Sequence, residues 1–133
     1  MPSSTIRVLV VDDYEPFRRF VCSTLGKRTG LQIVAKASDG REAVRKAAEL
    51  KPDLILLDIG LPTLNGIETA REIRKLAPES KIIFLTQEFS AVVVQAALSL
   101  GARGYVLKTK AGSELLPAVD AVLEGKQFFS RGL

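Results

Sequence analysis

Five short, apolar, strand-like runs alternate with five longer helical stretches along this chain, and that alternation restricts its fold more than any other feature. The runs are Ile6–Val11, Gln32–Ala37, Leu54–Leu57, Lys81–Leu85 and Tyr105–Leu107. Most are nearly continuous in Val, Ile and Leu, the pattern of parallel strands covered on both faces. Helical patterns follow them at about Pro16–Lys27, Arg41–Leu50, Gly66–Leu76, Ala91–Leu100 and Ser113–Glu124, punctuated by Gly30, Pro52, Pro78, Gly101 and Gly125. This rhythm predicts a doubly wound α/β sandwich. Two stretches test it. Val92, Val93 and Val94 by themselves favour a strand, but the Ala/Leu content that follows and the alternation decide for a marginal helix. Pro117 falls within the last helical stretch, either in its first turn or at a kink.

The remaining totals set bounds. With 133 residues, 47% of them apolar, the chain is one domain's worth, able to bury about two-thirds of its unfolded surface. Its net charge of +4 comes from scattered cations, which reads as an ordinary solvated surface rather than a nucleic-acid face. Cys22 is the single cysteine, so no internal disulfide forms; among Phe20, Val21 and Leu25 it reads as core filler. The absence of histidine rules out His-based triads, proton shuttles and His-ligated metals. No signal-peptide core is present, and no apolar run approaches the ~20 residues of a membrane span. A cytoplasmic location is expected.

Right-handed crossovers place the C-terminal end of every parallel strand along one edge of the sheet, where such folds bind ligands. The residues leaving the strands there are Asp12 and Asp13 after the first, Asp58 after the third, Thr86 after the fourth and Lys108 after the fifth; Ser38-Asp39-Gly40 after the second reads as a turn and helix cap. Singly, each has an ordinary explanation as a cap, a turn residue or a solvated lysine. Together, three carboxylates on one edge repel, and they require a raised pKa or a bound cation. Mg²⁺ suits them, being a hard ion that keeps waters and phosphate oxygens beside one or two carboxylates. Lys108 and the Thr86 hydroxyl complete a site for a phosphoryl group, with no evident base for activating water. Other phosphate chemistries fit poorly. The chain has neither G-x-x-x-x-G-K-[ST] nor G-x-G-x-x-G, and "VVDDYEPF" lacks the Asp-x-Asp of haloacid-dehalogenase-like phosphatases.

The segments "VLVVDD", "PDLILLDIGLPTLNGIE", "LT" and "GARGYVLK", in this order and spacing from Arg7 to about Gln127, resemble the receiver domain of bacterial two-component response regulators. The resemblance implies a flavodoxin-like (βα)5 fold with a five-stranded parallel sheet of order 2-1-3-4-5. It also implies that Asp58 accepts a phosphoryl group from a histidine kinase. Asp13 and Asp58 would hold Mg²⁺ with the Gly60 carbonyl, and Asp12 would act mainly through water. Lys108 would pair with phosphoryl oxygens. Thr86 would move toward the phosphoryl group, and Tyr105 would swing inward into the space it leaves. Gly60 and Glu88, two residues beyond Asp58 and Thr86, would influence water access; a glycine there implies an open site with unhindered hydrolysis.

The chain also departs from the family pattern. Thr109 stands where many receivers have a cis-proline after the lysine, so no cis bond is expected there, and Leu61 replaces a common methionine at nearly equal volume. "GARGYVLK" and the ending "AVLEGKQFFSRGL" are most similar to receivers of LuxR-type transcription factors. Residues 1–127 are then the receiver and 128–133 the start of a linker, with a DNA-binding output domain beyond this chain. A homodimer, through exposed faces of the first, fourth or fifth helix, is compatible with the sequence. The alternatives are a natural single-domain receiver or phosphorelay intermediate, a Mg²⁺-dependent phosphatase, and a degenerate scaffold; intact acidic positions disfavour the last.

Overall fold

The computed structural model describes residues 5–87 and 89–130. Its elements are β1 (Ile6–Val11), α1 (Glu15–Leu25), β2 (Leu31–Ala37), α2 (Gly40–Leu50), β3 (Leu54–Asp58), α3 (Gly66–Leu76), β4 (Lys81–Thr86), α4 (Ala91–Ser99), β5 (Gly104–Leu107), α5 (Ala111–Leu123) and β6 (Phe128–Phe129). All pairings are parallel, in the order β2-β1-β3-β4-β5-β6. The five expected strands keep their expected order, and the sheet has a sixth.

Strand periodicity sorts the core into two layers. Leu9, Val11, Ile55, Leu57, Phe84 and Tyr105 face Ala43 and Ala47 of α2, Ala70 and Ile73 of α3, and Ala97 of α4. Their alternate neighbours Val8, Val10, Leu54, Leu56, Ile83, Leu85 and Val106 face Val21 and Leu25 of α1 and Leu115 and Val119 of α5. Successive side chains point to opposite faces, so a strand covered on both must be apolar at every position, and β3 is buried throughout. Full burial of each such side chain contributes about 1.5–3 kcal/mol. Cys22 packs beside the α1–α5 layer, and burial raises its thiol pKa.

Side-chain caps set several helix starts. Asp39 accepts from the Glu42 N–H, Asn65 from Glu68 and Ser90 from Val93. The valine-rich stretch is helical, as the alternation requires. It buries little, however: Ala97 is its only buried residue, and Val92 is 80% exposed. The last helix starts at Ala111, two residues earlier than expected, after a 3₁₀ turn at Lys108–Lys110. Pro117 therefore lies in its interior, past the first turn. The Lys108–Thr109 peptide is trans.

Strand β6 is the main correction to the expected architecture. Residues 128–130 do not leave the domain at residue 127. Phe128 donates to the Arg103 carbonyl and Ser130 to that of Tyr105, and the Phe129 ring stacks on Tyr105 with centroids 6.2 Å apart. Ser130 is buried; its hydroxyl accepts the Leu107 N–H at 2.9 Å and donates to Glu114 Oε1. A two-residue strand is too short to announce itself by periodicity, and its stability comes from these partners on β5 and α5.

Candidate functional site: an acidic cleft at the strand ends

The parallel strands deliver Asp12, Asp13, Asp58, Thr86 and Lys108 to one place, as their positions in the chain imply. The Asp12 N–H still bonds the Ala37 carbonyl of β2, which holds its side chain at the end of the sheet. That carboxylate is fully buried. Oδ1 accepts the Tyr14 N–H at 2.9 Å, and Oδ2 lies 2.8 Å from Lys108 Nζ. Asp13, beside it, is exposed. Asp58 ends β3, and its Oδ1 accepts the Gly60 N–H at 3.1 Å and faces Lys108 Nζ at 3.4 Å. Thr86, the last residue of β4, is half-buried at the cleft wall. An open cleft of about 500 Å³ is lined by Asp13, Tyr14, Asp58, Ile59, Gly60, Thr86, Gln87 and Lys108.

Asp58 stands at the sheet edge as expected, but as the last residue of the strand rather than beyond it, and it is only 5% exposed. Its pKa is raised to about 6, chiefly by burial and then by the negative charge of Asp12, with Asp13 adding to the rise; Lys108 and the Gly60 N–H oppose it. A carboxylate this costly to ionise is a strong attractor for positive charge. One oxygen from each of Asp12, Asp13 and Asp58 lies within 4.8 Å of the others, so the three carboxylates can share a single small cation. This donor set, all hard oxygen and open to the cleft on the Asp13 side, fits Mg²⁺.

The loop after β3 is folded back tightly. Gly66 donates to the Ile59 carbonyl at 2.8 Å. A Cβ on Gly66 would lie 2.4 Å from the Asp58 carbonyl oxygen, so the close approach that needs glycine occurs there. Gly60 is exposed, and a Cβ on it would meet only Asp58 Oδ1, at 4.0 Å. Within the same loop Thr63 adopts a left-handed φ of 64°, unusual for a β-branched residue.

Tyr105 also departs from expectation. Its ring is already inward and 1% exposed, packed in the α2–α3–α4 layer. Burial raises its hydroxyl pKa, while the Thr86 side chain and the Ser90 backbone, its polar neighbours, act the other way. Glu88 lies outside the described residues. Sequence reasoning missed Phe17, whose ring centroid sits 4.7 Å from Lys108 Nζ. The available signal was its position in the first turn of the helix that follows the two aspartates.

Comparisons with known proteins agree with this geometry. Residues 8–120 match the family model described as "Response regulator receiver domain". The response regulator protein VraR of Staphylococcus epidermidis is 38% identical over 124 residues, 93% of this chain and 59% of that protein. This chain therefore spans about three-fifths of the length of the curated relatives it matches. Among solved structures, a LuxR-family two-component response regulator from Aurantimonas sp. SI85-9A1 superposes with a TM-score of 0.88 at 34% identity, covering 94% of this chain and 89% of that one. The signal receiver domain of the putative response regulator NarL from Mycobacterium tuberculosis gives 0.86 at 28%, covering 92% and 99%. With its fold, strand-end residues and nearly full-length matches in agreement, the chain belongs to the response regulator receiver domain family.

Proposed function

We propose that this domain is a phosphorylation switch in which Asp58 accepts a phosphoryl group from the phosphohistidine of a sensor histidine kinase. The observation that carries this is the placement of Asp58: a strand-end carboxylate on a cleft, 3.4 Å from an ammonium and clustered with two further carboxylates. In the reaction an Asp58 carboxylate oxygen attacks phosphorus and the P–N bond breaks. The electron pair leaves on the imidazole nitrogen, which is protonated, and an acyl phosphate forms.

Asp12, Asp13, Asp58 and the Gly60 carbonyl would hold Mg²⁺, whose charge offsets that of the phosphoryl oxygens in the transition state. Lys108 turns its ammonium from the carboxylates to the phosphoryl oxygens, and the Thr86 hydroxyl hydrogen-bonds to them. Thr86 adjoins the Tyr105 hydroxyl, so its movement alters the seat of a ring that stacks on Phe129. The change then reaches α4, β5 and α5, a surface that would govern an output. The LuxR-family structural neighbour supports a transcriptional output, which would act through a DNA-binding domain joined to this receiver.

Incubation with Mg²⁺ and acetyl phosphate tests this reading. A single hydroxylamine-labile phosphoryl adduct is expected by mass, absent from Asp58→Asn. Multiple turnover of a phosphomonoester, or an adduct that survives in Asp58→Asn, would overturn it.

A further inference from the structure

We propose that Phe17 is a positioning residue for Lys108, its aromatic face serving as the second seat of the ammonium when the carboxylates are otherwise engaged. The inference rests on the phosphorylation reading above and deepens it.

Lys108 is held from three directions. Asp12 Oδ2 stands 2.8 Å from Nζ, Asp58 Oδ1 stands 3.4 Å away, and the centroid of the Phe17 ring stands at 4.7 Å. Its side chain is only 10% exposed, so water contributes little to its solvation. The residue also stands on a divide. On one side is the acidic cleft; on the other is a second cleft of about 410 Å³ lined by Tyr14, Phe17, Gln87, Lys108 and Thr109.

The two kinds of partner differ in what they permit. Asp12 and Asp58 are the carboxylates that a cation and a phosphoryl group would claim, and an ammonium bonded to both competes for them. A lysine released from them with no other partner would pass into the cleft and sample many rotamers on its four-carbon stem. The Phe17 face attracts the ammonium through the ring quadrupole, without a formal charge and without a directional hydrogen bond. It therefore keeps Nζ beside Asp58 while leaving it free to turn toward phosphoryl oxygens. The ring is itself fixed by α1 and by Phe20, with centroids 5.7 Å apart.

Fluorination of Phe17 separates this role from packing, because successive ring fluorines weaken the negative face while nearly preserving its shape. The full chain carrying mono-, di- and trifluorophenylalanine at position 17, together with Phe17→Tyr and Phe17→Leu, is assayed for the rate of phosphoryl uptake from acetyl phosphate at saturating Mg²⁺. Mg²⁺ affinity is read independently by calorimetry. Uptake is expected to fall stepwise with fluorination and roughly three- to thirty-fold in Phe17→Leu, with Phe17→Tyr close to wild type. Mg²⁺ affinity is expected to weaken in the same order, as Lys108 stays on the carboxylates. Uptake and affinity that are unchanged across the fluorinated series overturn the proposal alone. A wild-type chain that takes up no phosphoryl group on Asp58 overturns the functional reading and the proposal with it.

Discussion

The cost of ionising Asp58 can be measured at the level of single residues. Its pKa stands at about 6 in the folded chain against 3.8 when free. The folded state holds the proton more tightly, so stability falls as pH rises between those values, and the penalty is fully present above them. Asp58→Asn removes the penalty and leaves the Lys108–Asp12 pair. It is expected to stabilise the metal-free protein by about 1–2 kcal/mol near neutral pH, after allowance for solvent screening, and by almost nothing near pH 4. Thermal melts at the two pH values check this; an equal gain at both would refute the electrostatic account. The glycines of the same loop offer a second contrast. Gly66→Ala would force a Cβ against the Asp58 carbonyl and Ile59 Cα, backbone atoms with little room to yield. It is expected to cost more than about 2 kcal/mol in urea denaturation, whereas Gly60→Ala stays within about 0.5 kcal/mol.

Two elements beside the cleft differ in how firmly they are held. Helix α4 has no charged residue, a single buried one, and Val92 and Leu98 facing outward. Its anchorage is slight. Strand β6 is short but pinned at both the backbone and the Ser130 hydroxyl. Ser130→Ala would leave the buried Leu107 N–H without its acceptor, one residue before Lys108. A loss of about 1–3 kcal/mol is expected, together with faster amide exchange at Leu107. Unchanged exchange there would mean that the hydroxyl is not what holds the end of β5.

Over the whole molecule, the acidic cluster ties cation binding to stability. A ligand at about one hundred times its dissociation constant stabilises by about 2.7 kcal/mol. Saturating Mg²⁺ is accordingly expected to raise the melting temperature by several degrees, and chelation to reverse the rise. The shift should shrink as pH falls below about 6, where Asp58 holds its proton, and should largely vanish in Asp13→Asn. A shift of the same size at pH 5 as at pH 7.5 would place the cation elsewhere. The two-layer core explains why one edge can carry so unfavourable a group of charges: β1 and β3 are clamped on both faces by apolar layers, and the carboxylates sit where those two strands end.

Sequence by itself determined the alternation of strands and helices, the cap at Asp39, and the convergence of Asp12, Asp13, Asp58, Thr86 and Lys108. These follow from local rules, since a strand buried on both faces must be apolar throughout and parallel strands with right-handed crossovers end on one edge. The burial of Asp58, the inward ring of Tyr105, the sixth strand and the stacking of Phe17 on Lys108 were decided by the tertiary structure. Each depends on distances between residues far apart in the chain. Periodicity reports which face a side chain takes, but not how deeply its neighbours bury it or which ring comes to rest beside which charge.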